Sequence, residues 1–156
     1  MKLMCKLFEL RPCVPVTYIL IVVPSILVYY YLTPYFLEKV FLDILFAIVI
    51  FSLTVVVTAD PGLVRKYHHG RSRHWTYCDH CLSYRPPGTI HCSTCQVCIA
   101  GYDHHCPWTG KCIGHGNIMY FFAFLYSLFV YLIYVFVLLM LYIVSNVFRE
   151  ERNVSR

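Results

Sequence analysis

Three apolar runs divide this chain, with polar stretches between them. The first, Val14 to Leu32, is long enough to cross the roughly 30 Å hydrocarbon core of a bilayer as a helix. Pro15 falls in its first turn, where a missing N–H is harmless, whereas Pro24 lies inside and is expected to kink it. Tyr29, Tyr30, Tyr31 and Tyr35 gather at its far end, the placement of an interfacial aromatic belt. A secretory signal also pairs a charged start with an apolar run, but this run is too long and no small-residue cleavage site follows. The second run, Val40 to Thr58, carries a single charge, Asp43, one turn from its boundary, where a carboxylate reaches the interface. It stops at Asp60-Pro61-Gly62, a sufficient helix terminator. The third, Met119 to Phe148, makes about 45 Å of helix at the standard rise, one tilted span rather than two.

The pattern predicts an α-helical multi-pass membrane protein. Its segments are an N-terminal stretch at 1–13, transmembrane helices at 14–32, 40–58 and 119–148, a loop domain at 63–118 and a tail at 149–156. Lys2, Lys6 and Arg11 precede the first span, and Arg65, Lys66, Arg71, Arg73, Arg85 and Lys111 lie in the loop domain, against Lys39 alone between the first two spans. That bias places the N-terminus and the loop domain in the cytoplasm. Arg149, Arg152 and Arg156 fall on the opposite side, partly offset by Glu150 and Glu151. Asn153-Val154-Ser155 has the pattern of a glycosylation sequon, but it lies too close to the membrane and the terminus for use to be expected.

Composition narrows this reading further. With 59% hydrophobic and 17% aromatic residues, the chain is not a water-soluble globule. The formal charge of +5 forms no basic stripe, and the loop lacks the stacking aromatics and groove of a nucleic-acid binder. No nucleic acid is expected as a partner; the lipid bilayer is.

Seven of the nine cysteines and four of the eight histidines fall between Cys78 and Cys112. They read Cys78-x2-Cys81, His91-Cys92-x2-Cys95-x2-Cys98, Asp103-His104-His105-Cys106 and Cys112. A Cys-x2-Cys knuckle turns two thiolates toward one ion, and zinc is satisfied by four Cys or His ligands. Cys78, Cys81, His91, Cys92, Cys95, Cys98, His105 and Cys112 make eight ligands, enough for two Cys3His sites with one cysteine left over. Spacing alone does not say which cysteine that is. Metal spacing rather than a disulfide scaffold agrees with a reducing, cytosolic location. The loop has too little aliphatic material for a core of its own, so bound metal would have to supply its folding free energy.

In Asp103-His104-His105-Cys106, an extended backbone would put His104 and Cys106 on one face and His105 on the other. His105 would then face the metal, while His104 takes the proton of Cys106 and raises its thiolate fraction. Asp103 would orient His104, which requires a bend in the strand. Read without that chemistry, Cys106 and His104 are two more ligands in a zinc fold, and spacing leaves both readings open.

The segment Cys78 through Gly114 resembles the cysteine-rich domain of the Asp-His-His-Cys membrane protein S-acyltransferases, the palmitoyltransferases, with all its cysteines in register. The resemblance extends to Asp60-Pro61-Gly62 and to Asn117-x2-Tyr120-Phe121. It implies that Cys106 is the acyl-accepting nucleophile, His104 its base and Asp103 the residue orienting His104. It also implies two structural zinc ions, one on Cys78, Cys81, His91 and Cys98 and the other on Cys92, Cys95, His105 and Cys112. Assignment in simple sequence order satisfies the count equally well. The reaction implied takes an acyl group from palmitoyl-CoA to Cys106 and then to a cytoplasmic cysteine of a membrane-associated protein. Arg85 and Lys111 are candidates for the CoA phosphates, or for lipid headgroups. An endoplasmic reticulum or Golgi membrane is the location the family implies.

Some positions depart from the family. Gly88 and Ile90 stand where Arg and His are common, and Gly110 and Lys111 where two Asn are usual. Family members commonly have a fourth span closing the acyl cavity, so either a partner or a second copy supplies that wall, or the acyl chain is held poorly, or the chain is a fragment or divergent product with little activity. The competing expectation is a catalytically weak, zinc-stabilised membrane module that regulates related acyltransferases. Cys5 and Cys13, flanking the first span, could themselves be acylated.

Overall fold

A computed structural model describes residues 13–33, 35–70 and 72–154. The expectations placed on Lys2, Cys5, Lys6, Arg11, Arg71, Ser155 and Arg156 lie outside the described residues. Three helices are present: α1 (Cys13–Tyr31), α2 (Phe36–Thr58) and α3 (Ile118–Val154). Each is long and apolar enough to cross a membrane. Helix α2 begins ahead of its apolar run, taking in Glu38 and Lys39, and α3 continues through the polar residues after Phe148.

The buried faces follow helical spacing. Thr17, Ile21, Ser25 and Val28 turn inward from α1, Leu42, Val49, Leu53 and Val56 from α2, and Phe124, Tyr131 and Leu138 from α3. Large apolar side chains on the other faces, such as Leu20, Phe51 and Phe129, are exposed, as lipid requires. Between helices in lipid, hydrophobic burial gives no advantage, and small and polar contacts take over. Here Ser25 and Tyr131 share a 2.6 Å hydrogen bond between α1 and α3. Ser52 and Ser127 share one of 2.9 Å between α2 and α3, and Tyr18 and Thr54 another of 2.9 Å between α1 and α2.

Between α2 and α3 lie three two-stranded antiparallel hairpins. They are β1 (Thr76–Cys78) with β2 (Ser83–Arg85), β3 (Thr89–Cys92) with β4 (Val97–Ala100), and β5 (His104–Cys106) with β6 (Lys111–Ile113). The second and third hairpins share a buried cluster of Cys92, Cys95, Ile99 and Cys112, flanked by Val97 and Tyr102. Four residues, three of them cysteine, make a core that hydrocarbon alone cannot stabilise.

Asp60-Pro61-Gly62 does more than end α2. Asp60 Oδ1 accepts the N–H groups of Gly62 and Leu63 at 2.8 and 2.9 Å, turning the chain back beneath the hairpins. Gly62 O then accepts from Ala100 N at 2.9 Å, and Pro61 O accepts from Gly116 N at 3.2 Å. Gly62, at φ +103°, adopts a backbone that side chains rarely tolerate, and a Cβ on Gly116 would collide with the Asp60 carbonyl. The segment thus binds the end of α2 to β4 and to the turn entering α3. From sequence it reads as a helix terminator and as part of the family resemblance, with nothing to announce these ties.

Candidate functional site

Two clusters of ligand atoms form in the loop. Cys78, Cys81, His91 and Cys98 converge in one, and Cys92, Cys95, His105 and Cys112 in the other, each within 4.8 Å. The sets interleave along the chain because β3 presents His91 to the first cluster and Cys92, one residue on, to the second. Alternation of side chains across a strand produces that division. An ion bound tetrahedrally through bonds of about 2.3 Å to sulfur sets sulfur–sulfur edges of about 3.8 Å. The structure has Cys98–Cys81 at 3.5 Å and Cys112–Cys95 at 3.3 Å. Each histidine turns Nδ1 inward, His91 at 3.2 Å from Cys81 Sγ and His105 at 3.4 Å from Cys95 Sγ. The residues fit a metal ion in each cluster.

Electrostatics point the same way. Burial, then hydrogen bonding and charge from Cys81 and Cys78, push the Cys98 thiol up to about 12. Hydrogen bonding to Cys95, together with burial, drives Cys112 far above the usual thiol range. Burial also raises Cys81. At Cys78 burial acts upward too, but the hydrogen bonds from the Cys81 N–H and neighbouring thiols outweigh it and the thiol is lowered. Burial, with electrostatic repulsion from the neighbouring His80 and Arg85 side chains, holds His91 below the ordinary imidazole range, which favours its neutral, ligating form. Three thiols this close cannot all ionise without a cation between them.

Cys106 is the remaining cysteine of this segment and stands in neither cluster. It is 6% exposed and packs in the helical core beside Ile113. In the β5–β6 register His104 faces Ile113, His105 faces Cys112 and Cys106 faces Lys111. Opposite residues share a face, so His104, Cys106, Lys111 and Ile113 look toward the helices, and His105 and Cys112 toward the metal cluster. Asp103, just before β5, places Oδ2 3.0 Å from His104 Nδ1, and the pair is roughly half exposed. Phe121 of α3 meets the His104 ring edge to face at 5.2 Å.

Each helix holds this hairpin. From α1, Thr17 Oγ1 lies 2.9 Å from the carbonyl oxygen of Trp108, in the turn between β5 and β6. At the end of α2, Lys111 Nζ donates to the Ala59 carbonyl at 2.5 Å. Before α3, the fully buried Asn117 donates from Nδ2 to Cys112 O at 3.0 Å and accepts Gly114 N at 2.9 Å. Arg85 donates from Nε to Thr76 Oγ1 at 3.1 Å across the β1–β2 hairpin. Thr17, Trp108 and Asn117 have no place in the sequence-derived site; only Asn117 carried a signal, as part of a recognised motif.

Comparison with known proteins agrees with this geometry. The model of the DHHC palmitoyltransferase family matches residues 71–155, more than half of the chain. The chain is similar to the "Probable protein S-acyltransferase 7" of Arabidopsis thaliana, 51% identical over 67 residues, 43% of this chain and 15% of that protein. It is similar to the "Palmitoyltransferase ZDHHC5-B" of Danio rerio, 50% identical over 70 residues, 45% of this chain and 11% of that protein. The "Palmitoyltransferase ZDHHC9" of Bos taurus is 46% identical over 67 residues, 43% of this chain and 18% of that protein. The matched stretch is thus less than a fifth of each relative's length. With the family match running from before the first knuckle into α3, across both ligand clusters and Cys106, the chain belongs to the DHHC palmitoyltransferase family.

Proposed function

We propose that the chain is a protein-cysteine S-palmitoyltransferase that works through an acyl-enzyme on Cys106. The observation that carries this reading is the separation of Cys106 from six neighbouring cysteines: they converge in two clusters, while it turns toward the helices. A thioester whose acyl tail lies among those helices would present its carbonyl at that face. Asp103 holds His104 Nδ1–H, leaving Nε2 to take the Cys106 proton. The thiolate then attacks the thioester carbonyl of palmitoyl-CoA, the carbon–sulfur bond to CoA breaks, and the CoA thiolate recovers the proton from His104. In the second step His104 takes the proton of a substrate cysteine, whose thiolate attacks acyl-Cys106. The thioester to Cys106 breaks, and the proton returns to Cys106.

Zinc suits both Cys3His sets and would supply charge neutralisation and folding free energy to the loop. Those sets are Cys78, Cys81, His91 and Cys98, and Cys92, Cys95, His105 and Cys112. Arg85, which uses one of its five donors on Thr76, is the proposed contact for CoA phosphates; Lys111, the other candidate from the sequence, gives its ammonium to the Ala59 carbonyl. Substrates would be membrane-associated proteins with cysteines on the cytosolic face, in an endoplasmic reticulum or Golgi membrane.

The test is hydroxylamine-sensitive labelling of the metal-loaded chain by a palmitoyl-CoA analogue. Label should vanish in Cys106→Ala at unchanged zinc content and fall about a hundredfold in His104→Ala. Label that persists in Cys106→Ala, or zinc-loaded wild type that takes none, would remove the acyl-enzyme reading.

A further inference from the structure

We infer that Lys111 is a positioning residue, pinning the strand pair that carries Cys106 to the C-terminal end of α2 and so setting how deeply the thiol sits among the helices. The inference rests on the acyl-transfer reading only for its kinetic consequence.

Three observations combine. Lys111 is the register partner of Cys106 and shares its face of the β5–β6 hairpin. Its Nζ donates at 2.5 Å to the carbonyl of Ala59, the residue capping α2 and 52 positions away in the chain. Ala59 ends α2 in extended backbone, so its carbonyl stands outside the helical ladder and takes the lysine as donor. A two-stranded hairpin of three residues a side has little rigidity of its own, and outside contacts decide its attitude. On one face, His105 and Cys112 join Cys92 and Cys95 in a cluster that fits a metal ion. On the other face, Lys111 supplies a polar tie to α2, beside the contacts from Thr17 and Phe121. Loss of that tie would let the Cys106 face lift away from the helices.

A phosphate-binding role for the same lysine makes a different prediction. A lost phosphate contact raises the palmitoyl-CoA concentration needed for half-saturation. A lost tether lowers the maximal rate of acyl-Cys106 formation, because misplacing a reacting group slows the reaction without weakening binding of the donor.

The experiment uses the full metal-loaded chain in lipid nanodiscs as wild type, Lys111→Met and Lys111→Arg. Site-resolved alkylation of Cys106 by a water-soluble maleimide is measured first, because it needs no acyl transfer. Lys111→Met should alkylate about tenfold faster than wild type, by analogy with local opening of a protected site. Lys111→Arg should stay close to wild type, since a guanidinium can also cap the carbonyl. In single-turnover acylation, Lys111→Met should lose about tenfold in maximal rate at unchanged half-saturation, with Lys111→Arg restoring most of it. Unchanged alkylation in Lys111→Met, or a raised half-saturation with the maximal rate intact, would overturn the tether. Should alkylation respond while wild type takes no acyl label, the tether stands and the acyl-transfer reading falls.

Discussion

Helix α2 buries four side chains and the β3–β4 hairpin five, by unlike means. Leu42, Val49, Leu53 and Val56 of α2 pack against α1 and α3 along a helical stripe, with serine, threonine and tyrosine hydroxyls fastening the helices. In the loop, Cys92, Cys95 and Cys98 are buried where hydrocarbon would otherwise stand, and they point at a place for an ion. A helix satisfies its own backbone and needs only a face to pack. A four-residue strand in a two-stranded hairpin satisfies half of its backbone and needs a staple. Cys106 lies at the seam, on a strand with a cluster of Cys and His ligands behind and helices in front.

Metal removal should break the comparison most sharply. Structural zinc sites contribute about 10–16 kcal/mol each. A strong chelator should abolish amide-exchange protection of residues 76–113 and leave the mid-helix amides of α2 and α3 protected. Loss of both together would show that one cooperative unit, not two, holds the molecule. Acid should act in the same direction. In the metal-free cluster Cys98, pushed up to about 12, is protonated at neutral pH, and an ion must displace that proton. Affinity therefore rises with pH toward that value and falls on acidification, by about tenfold per pH unit for each proton displaced. Competition with a chromophoric chelator between about pH 6 and 8 would measure the slope; a flat profile would contradict the raised thiols.

A smaller effect is expected at the junction. Asn117 is fully buried and joins Cys112 to Gly114 at the mouth of α3. Asn117→Ala leaves a buried N–H and a carbonyl unpaired and should cost about 2–3 kcal/mol. Thermal unfolding should show that loss, with faster exchange at β6 and at the first turn of α3. An unshifted midpoint would mean that the two regions are not coupled there.

The smallest change belongs to the helices. Tyr131→Phe removes the hydroxyl that meets Ser25. Polar contacts between helices in lipid average about 0.6 kcal/mol, so helix association should weaken by no more than that. A steric-trap or detergent-unfolding series would register it. A loss several times larger would put this contact in the class of the metal sites and erase the contrast.

Much of the site was legible because strand alternation is a local rule. In Asp103-His104-His105-Cys106 the opposition of His105 to His104 and Cys106 follows from a period of two, and the register displays it. The ligand sets were harder, since spacing permits either an interleaved or a sequential grouping. Resemblance chose the interleaved one, and β3 supplies the reason, sending His91 and Cys92 to opposite sides. Two positions were under-read. Asp60-Pro61-Gly62 looked like punctuation, because its ties to β4 and to Gly116 join residues far apart in the chain. Lys111 read as a candidate for CoA phosphates or lipid headgroups, because nothing local announces that its ammonium will meet the end of α2.

The sequence by itself determined the three apolar helices, the presence of metal-ligating knuckles and the face on which Cys106 lies. Run length, composition and side-chain period are properties of neighbouring residues. Only the tertiary structure decided which four Cys and His side chains converge, which contacts seat the β5–β6 hairpin, and that Cys106 packs with Phe124 and Val56 in one core. Those facts depend on where α2, α3 and the hairpins meet, and residues brought together by folding leave no common period along the chain from which the meeting could be read.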